Sequence, residues 1–189
     1  MGILDEKTSI LRLLTDQQEG RLHRILDLLA NAERRLQQRR YDDSAARSYR
    51  TVEAVEQYAL AKHGIDTSNP DYNKLDNHIK ERFLEKTCIE ELPKEISCYH
   101  GYMLLYGMND PLGTDFAENE RKYLGIMKAR NQSILAHGIS PITQSSAQGI
   151  YGMAEHFVKE LFSNEGLDFD RTLGQVKHPQ LGQELISSL

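Results

Sequence analysis

The stretch QQEGRLHRILDLLANAERRLQQRRYDDSAARSYRTVEAVEQYALAKHG, residues 17–64, decides the fold class. Leu22, Ile25, Leu26, Leu29, Ala32 and Leu36 recur at three- and four-residue steps, which lays one apolar stripe along a helix from about residue 17 to 39. Thr15 or Asp16 is its expected N-cap. A second helix is expected from Asp42 or Asp43, which would cap it, with Ala45, Tyr49, Val52, Val55, Ala59 and Leu60 inward. Gly64 stops it, because glycine accepts the left-handed conformation and Lys62 and His63 suit the negative end of a helix. Two long amphipathic helices joined by so short a turn pack antiparallel.

Outward from this hairpin the helical period continues. Residues 65–70 read as a turn with Asn69-Pro70 as its breaker, and Leu75, Ile79 and Phe83 then mark a shorter helix. Pro93 suits the first turn of the next helix, which runs to about Met108. Residues 109–114 read as a loop, Phe116 to His137 as one long helix closed by Gly138, and the stretch after Pro141 as a final helix with Ile150, Met153, Ala154, Phe157 and Leu161 inward. Beyond Asn164 the pattern fades into a tail with a short extended segment near Val176. No alternating strand pattern recurs, and no strand is followed by a glycine-rich phosphate loop. The reading is an all-α bundle of about five to seven helices: residues 1–15 an extension or short helix, 16–163 the helical domain, 164–189 an irregular C-terminal tail.

Composition agrees with one globular domain of 189 residues, 39% apolar and 27% charged. The apolar runs are too short to span a membrane, and the acidic start MGILDEKTS is unlike a secretory signal, so a cytoplasmic location is expected. Cys88 and Cys98 have no C-x-x-C spacing and read as buried small apolar residues. A net charge of −5 argues against broad duplex binding. Locally the balance reverses, since residues 21–50 carry eight arginines against four acids. A small nucleic-acid site is compatible with that.

One segment conflicts with its own pattern. In LGIMKARNQSILAHG, residues 124–138, Arg130 and His137 stand seven apart, two turns of a helix, and so share a face that Tyr123 extends upstream. Asn131, four after Met127, falls on the apolar stripe itself. A guanidinium and a carboxamide at inward positions are costly unless they serve a site or an interface. The residue types suit RNA cleavage without metal, in which the 2′-OH attacks the adjacent phosphate. Histidine carries protons near neutral pH, and arginine holds phosphate in two-point fashion. At a helix end the dipole favours protonated His137 while Arg130 opposes it, so the acid and base roles both stay open.

With those residues in view, the chain resembles a known family. Arg130, Asn131 and His137 look like the R-x(4–6)-H signature of HEPN ribonucleases. LANAERR at 29–35, RYDDSAAR at 40–47 with Tyr49 and Arg50, GIDTS at 64–68, DPLG at 110–113 and RNQSILAHG at 130–138 are similar to the C-terminal half of CARF–HEPN proteins, ancillary nucleases of type III CRISPR systems. The resemblance implies a HEPN-type helical fold and a metal-independent endoribonuclease cutting single-stranded RNA in antiviral defence, with no cofactor. It also implies a homodimer whose two protomers build one composite site. By this carry-over His137 moves a proton, Arg130 stabilises phosphate charge and Asn131 positions groups nearby. Cyclic oligoadenylate would act only through a CARF domain. No such α/β pattern occurs in this chain, which is read as a C-terminal effector domain or a stand-alone HEPN protein.

Arg47 and Arg50, spaced with Glu53 on the second helix, are candidate RNA contacts, with surface ion pairs as the plainer reading. Tyr99, Tyr102 and Tyr106 suit the core better than base stacking. No histidine follows a glutamate by three residues and H-E-x-x-H is absent, so no metal site is expected. Two further readings remain: a HEPN toxin of a toxin–antitoxin pair, and a non-catalytic helical module that dimerises and binds RNA or protein.

Overall fold

The structure is a computed structural model that describes residues 20–132, 138 and 140–176. Its elements in chain order are α1 (Gly20–Gln37), α2 (Tyr41–Lys62), a 3-10 turn (Tyr72–Lys74), α3 (Asn77–Thr87), α4 (Cys98–Gly107), α5 (Pro111–Glu118), α6 (Glu120–Asn131), α7 (Gln144–Asn164) and α8 (Phe169–Val176). The all-α reading holds. Among the described residues no helix is long and apolar enough to cross a membrane.

The α1–α2 hairpin forms as its periodicity requires. Ile25, Leu26, Leu29 and Ala32 of α1 are buried, as are Ala45, Val52, Val55, Ala59 and Leu60 of α2, while Leu22, Leu36 and Tyr49 line the edge of the seam. Each fully buried leucine contributes roughly 1.5–3 kcal/mol. The turn between the helices is tied by the Ser44 hydroxyl, which donates to the Ala32 carbonyl at 2.9 Å. α7 covers the other side of α2 with Ile150, Met153, Ala154, Phe157 and Leu161, all buried. At the centre Tyr102 stacks on Phe116 at 4.6 Å, and Phe157 and Tyr123 complete the aromatic cluster. The Tyr102 hydroxyl donates to the Val52 carbonyl at 3.0 Å, which lets a phenol occupy the core. Tyr99 and Tyr106 lie at its rim, Tyr99 donating to Glu120 at 2.9 Å and Tyr106 beneath Arg82 at 4.5 Å.

Several expected boundaries move. Asp42 and Asp43 do not cap α2, which starts at Tyr41. Both stand in its first turn, where the helix dipole favours carboxylates, and Asp43 pairs with Arg40 at 2.6 Å. The helix expected from Pro93 begins at Cys98, because Ser97 caps it by accepting from the His100 amide. Residues 111–114, read as part of a loop, open the helix α5. Asp110 accepts from the Leu112 amide at 2.9 Å and Pro111 takes the first helical position, so the proline starts a helix here. The long helix expected over Phe116–His137 is two helices parted at Asn119, and the second ends at Asn131 with Gln132 as its C-cap. In place of an extended segment near Val176 stands α8, whose Leu173 and Val176 are buried and whose Phe169 meets Phe162 edge-on at 6.0 Å. The break at Asn119 and the addition of α8 raise the helix number above the expected range. Cys98 is buried, but Cys88 is exposed at the left-handed C-cap of α3. The expected cap at Thr15 or Asp16 lies outside the described residues.

Candidate active site

α6 delivers Arg130 to the flank of α2. Its guanidinium lies over the Tyr49 ring, 4.2 Å from the centroid, and its Nη1 donates to the Asn131 carboxamide oxygen at 3.0 Å. A cation over an aromatic face is worth about 0.5–2 kcal/mol, more as water is excluded. The ring is itself held in place. Tyr49 is half-buried, its hydroxyl faces the buried Cys98 thiol of α4, and burial drives its pKa well above the usual phenol value. Glu53, one turn further along α2, lies between two cations. Burial raises its pKa, opposed by the charges of Arg50 and Arg130.

Beneath this layer Glu56 is 1% exposed, and its Oε1 has no hydrogen-bond partner. Gly101 of α4 backs onto the carboxylate so closely that any Cβ there would collide with it. Burial, reinforced by the nearby Glu53 charge, pushes the Glu56 carboxyl up to about 9, so it is neutral at physiological pH. Tyr49, Cys98 and Glu56 thus form an uncharged layer beside Arg130 and Glu53.

The predicted site residues fare differently. Arg130 is half-buried as an inward guanidinium should be. Asn131, expected on the apolar stripe, is the last residue of α6 and is exposed. His137 lies outside the described residues. α6 ends at Asn131, with Gln132 as its C-cap. An added Cβ on Gly138 would collide with the Gln132 backbone. Lys128 and Arg130 occupy the last turn of α6, where the helix dipole favours cations.

The chain after Gly138 returns to the start of α2. The Ile142 amide donates to Asp42 at 3.1 Å and the Tyr41 hydroxyl donates to Gln144 at 3.1 Å. One helix, α2, therefore seats Arg130 on one side of Ser133–His137 and anchors Ile142 on the other. Arg50 approaches Glu53 at 3.7 Å and donates to Gln57 at 3.0 Å. Arg47 is half-buried, with an unpartnered Nε. Among the described residues no three His, Cys, Asp or Glu side chains gather as metal ligands. Sequence reasoning names Tyr49 as an inward position and Glu53 beside Arg50, but brings neither to Arg130. Tyr49 reads simply as an inward position of α2, and nothing in the spacing tells which ring meets a residue 81 positions later.

An all-α bundle in which a terminal Arg-Asn pair is carried against a long helical hairpin is consistent with the HEPN class of fold. Over residues 15–161 the chain matches the Csm6 HEPN domain, and it belongs to that family of CRISPR-associated HEPN ribonucleases. No curated protein matches the chain.

Proposed function

We propose that the protein is a metal-independent endoribonuclease that cuts single-stranded RNA in type III CRISPR antiviral defence, with Arg130, Asn131 and His137 as its catalytic residues. The observation that carries the reading is the seating of the Arg130 guanidinium on Tyr49 beside Asn131, within a chain of the HEPN family. A cation fixed against a rigid ring is preorganised to meet charge developing on a phosphorane, with little to reorganise during the reaction. In the reaction the 2′-oxygen loses its proton and bonds to phosphorus, and the P–O5′ bond breaks. One strand then ends in a 2′,3′-cyclic phosphate and the other in a 5′-hydroxyl. His137 serves one or both of the proton transfers, a role worth about 10²–10⁴ in rate. Asn131 orients the Arg130 guanidinium and polar groups of the substrate.

The family also supports a homodimer in which matching Arg130 and His137 from two protomers build one site, and control by cyclic oligoadenylate where a CARF domain accompanies this one. The family match favours this branch over a toxin of a toxin–antitoxin pair.

The test is cleavage of an end-labelled single-stranded RNA in excess EDTA by the wild type, Arg130→Ala and His137→Ala. Cutting that persists in chelator, leaves a cyclic phosphate and falls at least about 10²-fold in each variant is expected. Undiminished cutting by both variants would remove these residues from the site.

A further inference from the structure

On the side of α2 that bears Gln57 and Tyr58, α1, α2 and the Gly64–Ser68 loop enclose an open groove of about 720 Å³. Its size is that of a cleft for a small ligand or a few strand units, about 300–1,000 Å³. Arg21 and Arg24 of α1 and Arg50 of α2 line it, with Gln57, Thr67 and Ser68 as further polar groups. All three arginines are exposed. Arg24 is braced by its Nε, which donates to the Gly20 carbonyl at 3.2 Å, leaving the rest of the fork for another acceptor. Among the described residues neither Arg21 nor Arg24 forms an ion pair with a carboxylate. The one acid in the lining, Asp66, is engaged within its own turn, accepting from the Ser68 amide and hydroxyl at 2.9 and 2.8 Å. Arg21 and Arg24, together with Arg50, which is shared with Glu53, therefore face one occupied lining anion in a concave surface, on a protein whose net charge is −5. Such a local reversal focuses a positive field on the groove.

The groove also connects to the candidate site. Arg50 at its edge reaches Glu53 at 3.7 Å, and Glu53 lies within the field of Arg130. From Tyr49 to Gln57 the track follows α2 for about 12 Å. The geometry points to a phosphate-backbone subsite for single-stranded RNA in this groove, with Arg21, Arg24 and Arg50 holding the strand that runs on from Arg130. The inference deepens the nuclease reading and rests on it for the identity of the strand. Guanidinium forks on phosphate give affinity and register without base preference. Among the lining side chains only Tyr58 is aromatic, and its hydroxyl is turned toward Glu165 at 3.5 Å, so backbone contact outweighs base stacking here.

The test uses the full chain and a fluorescent 2′-O-methyl RNA of about 12 nucleotides, which binds but cannot be cut; a strand of that length lies within the usual span of a single-strand site. Binding is read by anisotropy across a salt series. The Arg21→Ala/Arg24→Ala double variant should bind roughly 10-fold more weakly, and its log Kd against log salt slope should drop by about 1.4, two contacts at about 0.7 each. Arg21→Gln/Arg24→Gln, which keeps the apolar stems, should reproduce the loss, and equal urea midpoints show that both variants fold. An unchanged affinity and slope overturn the subsite. So does an equal loss in Arg34→Ala/Arg39→Ala, which removes the same charge from the other end of α1 and its turn. Displacement of the RNA by inorganic phosphate at matched phosphate concentration would mark a free-anion site and overturn the strand assignment. The two readings fail separately. Groove-dependent binding by a protein that cuts nothing sinks the nuclease and keeps the groove, whereas Arg130-dependent cutting with unaltered binding in the groove variants does the reverse.

Discussion

Arg130 illustrates how a single residue is both legible and illegible in a sequence. That it breaks an apolar line is plain from its phase with Tyr123 and Met127, because burying a guanidinium without a partner is unfavourable. That its partner is the Tyr49 ring is invisible, since the contact joins two helices whose relative rotation no local pattern fixes. Asn131 shows the opposite error: its phase matches the stripe, but the helix ends beneath it and the residue faces solvent. If the ring holds Arg130 for catalysis, Tyr49→Leu lowers the single-turnover cleavage rate roughly 2- to 30-fold, the equivalent of one cation–π contact, and Tyr49→Phe restores most of it. A leucine variant as fast as wild type would show that the ring merely packs. Glu56 gives a second expectation at this scale, one about stability. Its carboxyl titrates at about 9 in the folded protein, above the 4.5 expected for an exposed glutamate, so the folded state keeps a proton that the unfolded chain releases. Stability therefore falls as pH rises through that window, and is greatest below it. Glu56→Gln imitates the neutral form and removes the slope. Relative to wild type it should gain up to about 5 kcal/mol by pH 8, at about 1.4 kcal/mol per pH unit, and only about 1 kcal/mol at pH 5. Urea midpoints at the two pH values decide it, and parallel slopes would mean that Glu56 ionises normally.

Elements were legible wherever one stripe ran unbroken, as in α1, α2 and α7, and less so where two elements share a phase. Phe116 and Tyr123 are seven residues apart, both buried, with ring centroids at 5.4 Å, so the apolar rhythm passes through the break at Asn119 without a missed beat. The break itself is made by a side chain, Asn119 Nδ2 donating to the Asp115 carbonyl at 3.0 Å. α8 escaped because its stripe is only Phe169, Leu173 and Val176, although Asp168, which accepts from the Arg171 amide at 2.9 Å, is a recognisable start signal. The motifs that carried the family resemblance turn out to build elements more than chemistry. In GIDTS, Gly64 takes a φ of 73°, Ile65 is buried and Asp66 closes a turn. In DPLG, Asp110 caps α5 and Gly113 presses on the α4 backbone at Leu105 and Tyr106, where a Cβ has no room. That contact sets an order of effects. Gly113→Ala must push α5 off α4 and should lose about 3 kcal/mol, whereas Asp110→Ala gives up one cap, about 1 kcal/mol. Denaturant melts that rank them the other way would show α5 free to move.

At the scale of the whole molecule, the α1–α2 hairpin is both the frame and the functional flank. It supplies half of the core seam, the seat of Arg130, the anchor for Ile142 and the arginines of the groove. Among the described residues, Asn131 and Gln132 are exposed at the edge of this candidate site. That exposed edge is where a second copy would complete the site under the proposed two-fold arrangement, and the stoichiometry of inactivation can tell whether it does. In a two-fold dimer with one composite site, every site needs an Arg130 from each protomer. Mixing wild type with Arg130→Ala protein and allowing exchange should then lower activity as the square of the wild-type fraction, so that an equal mixture keeps about a quarter of the activity of the same total amount of wild type. Independent sites would follow the fraction itself and keep about half. Sedimentation of each mixture establishes that the dimer population is constant, so a loss of activity cannot come from dissociation. A linear decline with the dimer intact would place a complete site in each chain, and the exposed edge would then face RNA alone.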